Sequence, residues 1–191
     1  MGMEYNHLDR QTDRQTDRQT DRFFYDYLRA RPNSTKIKIK DVFKSHELGY
    51  LYWSRKYEKT KNFIKRKLIL RIILRYRKKY GLELNTNNMG GGILLVHPWN
   101  ITMHNEAVIG ENVTLFKGVT IGVVSKGKKA GVPKIGDNVI IYANATICGN
   151  ITVGNNVIIS AGAFVNFDVP DDSIVIGNPG VIHKIRSLNM K

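Results

Sequence analysis

The chain has 191 residues, room for one domain of ordinary size plus an appendage, which excludes a multi-domain machine. Its 30 Lys and Arg against 16 Asp and Glu give a net charge of +14, too basic for an indifferent surface, while 42% apolar content is enough for a core. The longest apolar stretches, such as 89–96, fall far short of the roughly 18 residues a membrane span needs, the polar start lacks a signal-peptide segment, and the single cysteine, Cys148, excludes an internal disulfide, so a cytoplasmic protein is expected.

The charge is unevenly placed. Residues 1–80 carry 22 Lys and Arg and 9 Asp and Glu, whereas residues 81–191 carry 8 and 7. Residues 9–22 repeat Asp-Arg-Gln-Thr with nothing apolar to bury, which predicts a solvated, disordered tail over 1–22. Four residues span twelve bases, so the tract also reads as a repeated tetranucleotide, and a slippage-prone switch of expression (phase variation) is the expectation at the level of the gene.

Residues 23–80 read as a basic helical segment. Ile69, Ile72, Ile73, Tyr76 and Tyr80 form one apolar stripe, and Gly81 ends the helix. Between 55 and 79 stand 12 basic residues and one acid, Glu58, a composition suited to an anionic membrane surface or to plain solvent. Tyr50, Tyr52, Trp53 and Tyr57 among these bases could stack on single-stranded nucleic acid. No recognition module accompanies them, so nucleic acid is not the expected partner.

From residue 81 to 185 the pattern changes to a period of six. Ile135, Ile141, Ile147, Val153, Ile159 and Val165 recur without exception, as do Met103, Ile109, Leu115 and Ile121. Gly110, Gly136 and Gly154 follow three of these aliphatics, and Asn or Asp comes next, where a tight corner needs small or left-handed residues. Each unit is thus a short strand and a corner. Three units close a triangular coil of about eighteen residues, and coils stack about 4.8 Å apart with the periodic aliphatics inside. Residues 186–191 remain as a C-terminal tail.

Two places break the period. Leu95 to Met103 is eight residues, with the extra two inside Val96-His97-Pro98-Trp99-Asn100. An unpartnered imidazole inside so narrow a coil would cost a few kcal/mol, so a bulge that turns His97 outward is expected, stiffened by Pro98. Ile121 to Ile135 is one unit plus eight residues, a basic loop holding Lys126, Lys128 and Lys129 that could attract phosphates or an acidic acceptor. An outward imidazole, with a free pKa of about 6.5, suits the general base that a hydroxyl needs to attack an acyl thioester, and the acid that returns the proton to sulfur. His97 is the candidate. His104 is the competing base, expected at the surface; His7, His46 and His183 are assigned no chemistry.

The repeats, together with 117–122 (Lys-Gly-Val-Thr-Ile-Gly) and the closing run 168–179 from Asp168 to Pro179, resemble the hexapeptide-repeat acyltransferases. Within them they resemble the branch of serine O-acetyltransferases and of enzymes acetylating capsular and lipooligosaccharide sugars. The fold implied is mainly β, a single-stranded left-handed parallel β-helix, an exception to the usual right-handed crossover. The resemblance also implies acetyl-CoA as co-substrate, no metal, direct transfer in a ternary complex, and sites between the subunits of a homotrimer. It places Glu83 as the carboxylate that orients His97, one residue out of register. It places Gly122, Ala143, Ala161 and Asn166 along the coenzyme A arm. Where relatives often have Thr-Lys this chain has Asn166-Phe167, with Lys184 or Arg186 as substitute contacts.

Serine acetyltransferases carry an Arg-His-Pro segment where this chain has Gly131-Val132-Pro133. That difference and the basic first region favour an acidic surface glycan made at the inner face of the membrane as acceptor. Serine acetylation in cysteine biosynthesis is the alternative, and a non-catalytic β-helix scaffold the alternative of another class.

Overall fold

The computed structural model describes residues 22–184. The expected tail 1–22, Arg22 excepted, and the tail 186–191 with Arg186 lie outside the described residues. Four helices come first: α1 (Arg22–Ala30), α2 (Ile39–Lys44), α3 (His46–Lys59) and α4 (Phe63–Tyr80). A 3-10 turn, Thr86–Asn88, leads into strands β1 (Leu94–Val96), β2 (Thr102–Met103), β3 (Val108–Ile109), β4 (Thr114–Phe116), β5 (Thr120–Gly122), β6 (Lys134–Ile135) and β7 (Ile140–Ile141). They continue with β8 (Thr146–Cys148), β9 (Thr152–Val153), β10 (Ile158–Ile159), β11 (Phe164–Val165), β12 (Ser173–Ile176) and β13 (Val181–Lys184).

The strands form three faces of a left-handed parallel β-helix. Face one is β1-β4-β7-β10-β12, with β13 added antiparallel; face two is β2-β5-β8-β11; face three is β3-β6-β9. The periodic aliphatics stack as read: Leu95, Leu115, Ile141, Ile159 and Val175 form one ladder, and Met103, Ile121, Ile147 and Val165 a second. Ile109, Ile135 and Val153 form the third. All are buried, and so is the residue two before most of them, such as Val113, Val139, Ile151 and Val157. Burying each such side chain contributes about 1.5–3 kcal/mol. A third departure from the period was not visible in the sequence: Ile159 pairs with Val175, so the last coil is shortened by two residues.

The helices close the open end of the solenoid. α4 buries Ile69, Ile73 and Tyr80, starts at the Asn62 side chain, which accepts from Lys65 N at 3.0 Å, and ends at Gly81 in the left-handed conformation with φ 66°. The first coil has no neighbour on one side, so its carbonyls need donors. Arginines supply them. Arg55 donates to Thr86 O at 2.6 Å, Met89 O at 3.0 Å and Gly90 O. Arg22 donates to Met89 O at 3.0 Å and Arg29 to Gly92 O at 3.2 Å. Asp26, fully buried, accepts from Ile93 N at 2.7 Å and from Arg55 Nε at 3.2 Å, while Glu58 pairs with Arg22 at 2.7 Å.

This network corrects two expectations. Arg22, grouped by sequence with the tail, begins α1 and holds the first coil. Arg55, taken as the start of a basic face over 55–79, is buried and internally paired, because five donors on one guanidinium satisfy adjacent carbonyls that no strand reaches. Tyr50, read as a stacking residue, is also buried, its hydroxyl donating to Leu84 O and accepting from Leu84 N, both at 3.1 Å.

Candidate active site

The edge between faces one and two is built from stacked corners, Lys117-Gly118, Ala143-Asn144 and Ala161-Gly162, tied by main-chain bonds. Gly118 N donates to Trp99 O at 2.8 Å, Asn144 N to Lys117 O at 3.0 Å and Gly162 N to Ala143 O at 2.9 Å. Trp99-Asn100 occupies the same step one coil earlier, with Asn100 N donating to Tyr80 O at 2.8 Å. His97 and Pro98 are therefore the two inserted residues, and the winding resumes in register directly after them.

His97 is exposed while Pro98 is buried, so the insertion hangs outward on a proline anchor. Its backbone is left-handed, φ 49°, with its carbonyl accepting from Trp99 N at 2.8 Å. The other non-glycine residues at positive φ among the described residues are Asn100, Asn112, Asn138, Asn144, Asn156 and Asp172, types that tolerate this region. His97 is the one among them that is neither Asn nor Asp, and strain of this kind collects at functional positions. Beside it Trp99 packs edge-on against Tyr80 at 4.9 Å, and Tyr80 stacks on His46 at 4.7 Å, its hydroxyl 3.0 Å from His46 Nδ1. Trp99, Tyr80 and His46 are far apart in the sequence and nothing there joins them; an aromatic next to the register break was the available signal.

Glu83 lies one coil before β2, its N donating to Ile101 O at 2.9 Å and its O accepting from Met103 N at 2.8 Å, and it bridges to Thr102. Its side chain is exposed, and among the described residues neither it nor the His97 ring has a hydrogen-bond or ion-pair partner, so the two are not joined within one chain. His104 stands at a different corner, between faces two and three, where its Nδ1 accepts from Glu106 N at 3.3 Å.

The positions assigned to coenzyme A do not form one cluster. Ala143 and Ala161 share the corner edge with His97. Gly122 ends β5 on face two, opposite Cys148, and a Cβ there would meet only ordinary contacts at 3.8 Å, so the outer side of that strand is open to a flat arm. Asn166 is exposed just after β11 on face two, whereas Lys184 lies on β13, beyond face one. The loop 123–130 leaves the coil through a Val124–Gly131 bridge, with Lys129 3.7 Å from Asp168. Burial pushes the Cys148 thiol above its ordinary pKa, which disfavours the thiolate that an acyl-enzyme would need.

The profile described as "Bacterial transferase hexapeptide (six repeats)" matches residues 133–166. Serine acetyltransferase 2 of Arabidopsis thaliana is 35% identical over 119 residues, 62% of this chain and 37% of that one. The Bacillus pumilus serine acetyltransferase is 38% identical over 122 residues, 62% of this chain and 56% of that one. Against these curated relatives the chain spans between about a third and just over half of their length. Among solved structures, soybean serine acetyltransferase complexed with serine is 28% identical with a TM-score of 0.63, over 87% of this chain and 70% of that one. The Neisseria gonorrhoeae serine acetyltransferase is 27% identical with a TM-score of 0.68, over 93% and 69%. The chain is thus similar to hexapeptide-repeat acyltransferases of the serine acetyltransferase kind.

These relatives overturn the expectation of a surface-glycan acceptor. That expectation rested on bulk charge, which the structure assigns to the helical end, and on Gly131-Val132-Pro133, an argument from residues that are missing. In the fold Gly131 pairs with Val124, Val132 packs against the core and Pro133 is buried, so the segment serves the loop's return to the coil.

Proposed function

We propose that the protein is an acetyl-CoA-dependent O-acetyltransferase whose acceptor is the hydroxyl of serine, with His97 as general base. The observation that carries the reading is the left-handed, outward-turned His97 at the one two-residue insertion in the winding, in a chain similar to serine acetyltransferases. Acetyl-CoA supplies the activated acyl group. His97 takes the hydroxyl proton as the oxygen attacks the thioester carbonyl, and returns it to the departing sulfur; the bond formed is the ester C–O and the bond broken the thioester C–S. Pro98 and the Trp99–Tyr80 contact hold the corner that presents the ring. Ala143 and Ala161 keep the corner edge low beside His97, and Gly122 and Asn166 line face two along the arm; Lys184, on β13 beyond face one, stands apart from them. Glu83, which does not reach His97 within one chain, is a positioning residue for the His97 of a neighbouring subunit of a homotrimer.

The test is thiol release from acetyl-CoA with L-serine against a panel of sialylated oligosaccharides. Release with serine supports the reading; release only with a glycan removes the acceptor, and no release with any hydroxyl removes the enzyme. In the same assay His97→Ala is expected to lower turnover by about 10²–10⁴-fold with the oligomeric mass unchanged. Turnover near that of the parent would pass the role to His104.

A further inference from the structure

We propose that the outer face of α4 is an interfacial helix that seats the protein on an anionic lipid surface. α4 carries eight cations, Lys65, Arg66, Lys67, Arg71, Arg75, Arg77, Lys78 and Lys79, and no acid. Among the described residues none of the eight pairs with a carboxylate, in contrast with Arg22 and Arg55, which do. The same helix leaves Phe63, Ile64, Leu68, Leu70 and Leu74 between 37% and 71% exposed. Ile69, Ile73 and Tyr80 already serve the inner face, and Leu70 and Phe63 adjoin Tyr57, so Ile64, Leu68 and Leu74 are the exposed aliphatics surplus to folding.

The combination selects the occupant. Three of the cations rest on rings, Arg66 on Tyr57, Lys67 on Phe63 and Lys79 on Tyr80, but none has a carboxylate among the described residues, and aliphatic side chains beside such cations on one helix match a surface with acyl chains below and negative headgroups above. A second copy would bring two acid-free cationic faces together. A single-stranded nucleic acid would reward cations and aromatic planes but not Ile64, Leu68 and Leu74. No helix among the described residues is long and apolar enough to cross a membrane, so α4 would lie on the surface. Of the basic stretch singled out by sequence over 55–79, Arg55 points inward, and α4 carries the largest share of the rest.

The experiment is cosedimentation of the full chain with phosphatidylcholine vesicles, pure or containing about 30% phosphatidylglycerol. The expected result is binding to the anionic vesicles at least about tenfold above the neutral ones, falling about tenfold at 0.5 M salt and in the double variant Ile64→Glu, Leu68→Glu. Both residues are exposed, so the variant keeps its helical circular dichroism. Equal binding to both vesicles, or none, overturns the proposal. So does a parent mass that the double variant halves, which would give the face to a second copy, or a single-stranded oligonucleotide that displaces the vesicles. Thiol release by the double variant with soluble substrates is expected to be unchanged, which separates this proposal from the transfer reading.

Discussion

At the scale of single residues, the corners show how little freedom the winding leaves. Asn at Asn112, Asn138, Asn144 and Asn156 relieves a left-handed backbone, whereas His97 holds the same conformation at a cost of about 1–2 kcal/mol. His97→Asn is therefore expected to raise the thermal midpoint by a few degrees while abolishing transfer. A lower midpoint would mean that the imidazole supports the fold. The glycines give a second contrast. Gly118 (φ 72°) lies beneath Asn144 Oδ1, which an added Cβ would overlap, while Gly162 (φ 68°) has open space around it. Gly118→Ala is expected to cost clearly more than the about 1–2 kcal/mol of left-handed strain that Gly162→Ala incurs; denaturant unfolding measures both, and equal costs would refute the close stacking.

At the scale of elements, the docking of α1 and α3 on the first coil depends on Arg55 and Asp26. Arg55→Ala would strand the carbonyls of Thr86, Met89 and Gly90 and leave Asp26 unpaired in the interior, an expected loss of about 3–5 kcal/mol seen in chemical unfolding. A loss below about 1 kcal/mol would show that the cap is held by apolar packing alone. Burial pushes the Asp26 carboxyl up to about 6, against the downward pull of Arg55, the Ile93 amide and Arg22. Because the folded value lies above the ordinary 3.8, the stabilisation is present below about pH 4 and lost as pH rises through about 6. The stability of the parent relative to Asp26→Asn should accordingly fall between pH 4 and pH 6 and stay level above; a flat difference would remove the assignment. The six-residue period was legible because every inward position must be aliphatic, whatever else the chain does. The arginine cap was not, since a guanidinium on a helix reads as surface until the orphaned carbonyls it faces are known. The shortened last coil escaped notice because Val169 and Val175 still fill inward positions.

At the scale of the whole molecule, the two halves of the charge map follow the two parts of the fold. Among the described residues most of the basic side chains sit on the helical end and a near-neutral set winds the solenoid, so net charge described the helical end rather than an acceptor. His97 was legible as a break in register; the spread of the other candidate positions was not, because Ala143 and Ala161 share its corner edge while Glu83 and Gly122 lie on face two and Lys184 beyond face one. A chain starting at Gly81 would expose Leu82, Ile93 and the unpaired rim of the first coil, and is expected to aggregate where the longer chain stays dispersed, as light scattering would show. A monodisperse fragment would show that the coil needs no lid.

The insertion at His97-Pro98 leaves the winding after it in register, and that makes an outward imidazole portable. Moving the dipeptide to the corner at Lys117 or Ala143 would shift the imidazole along the prism in steps of about 4.8 Å, at the loss of the Trp99–Tyr80 contact beside it. A solenoid of this kind is a ruler on which catalytic equipment can be slid, and the gap between the reacting group and the cationic end becomes a quantity that can be set rung by rung.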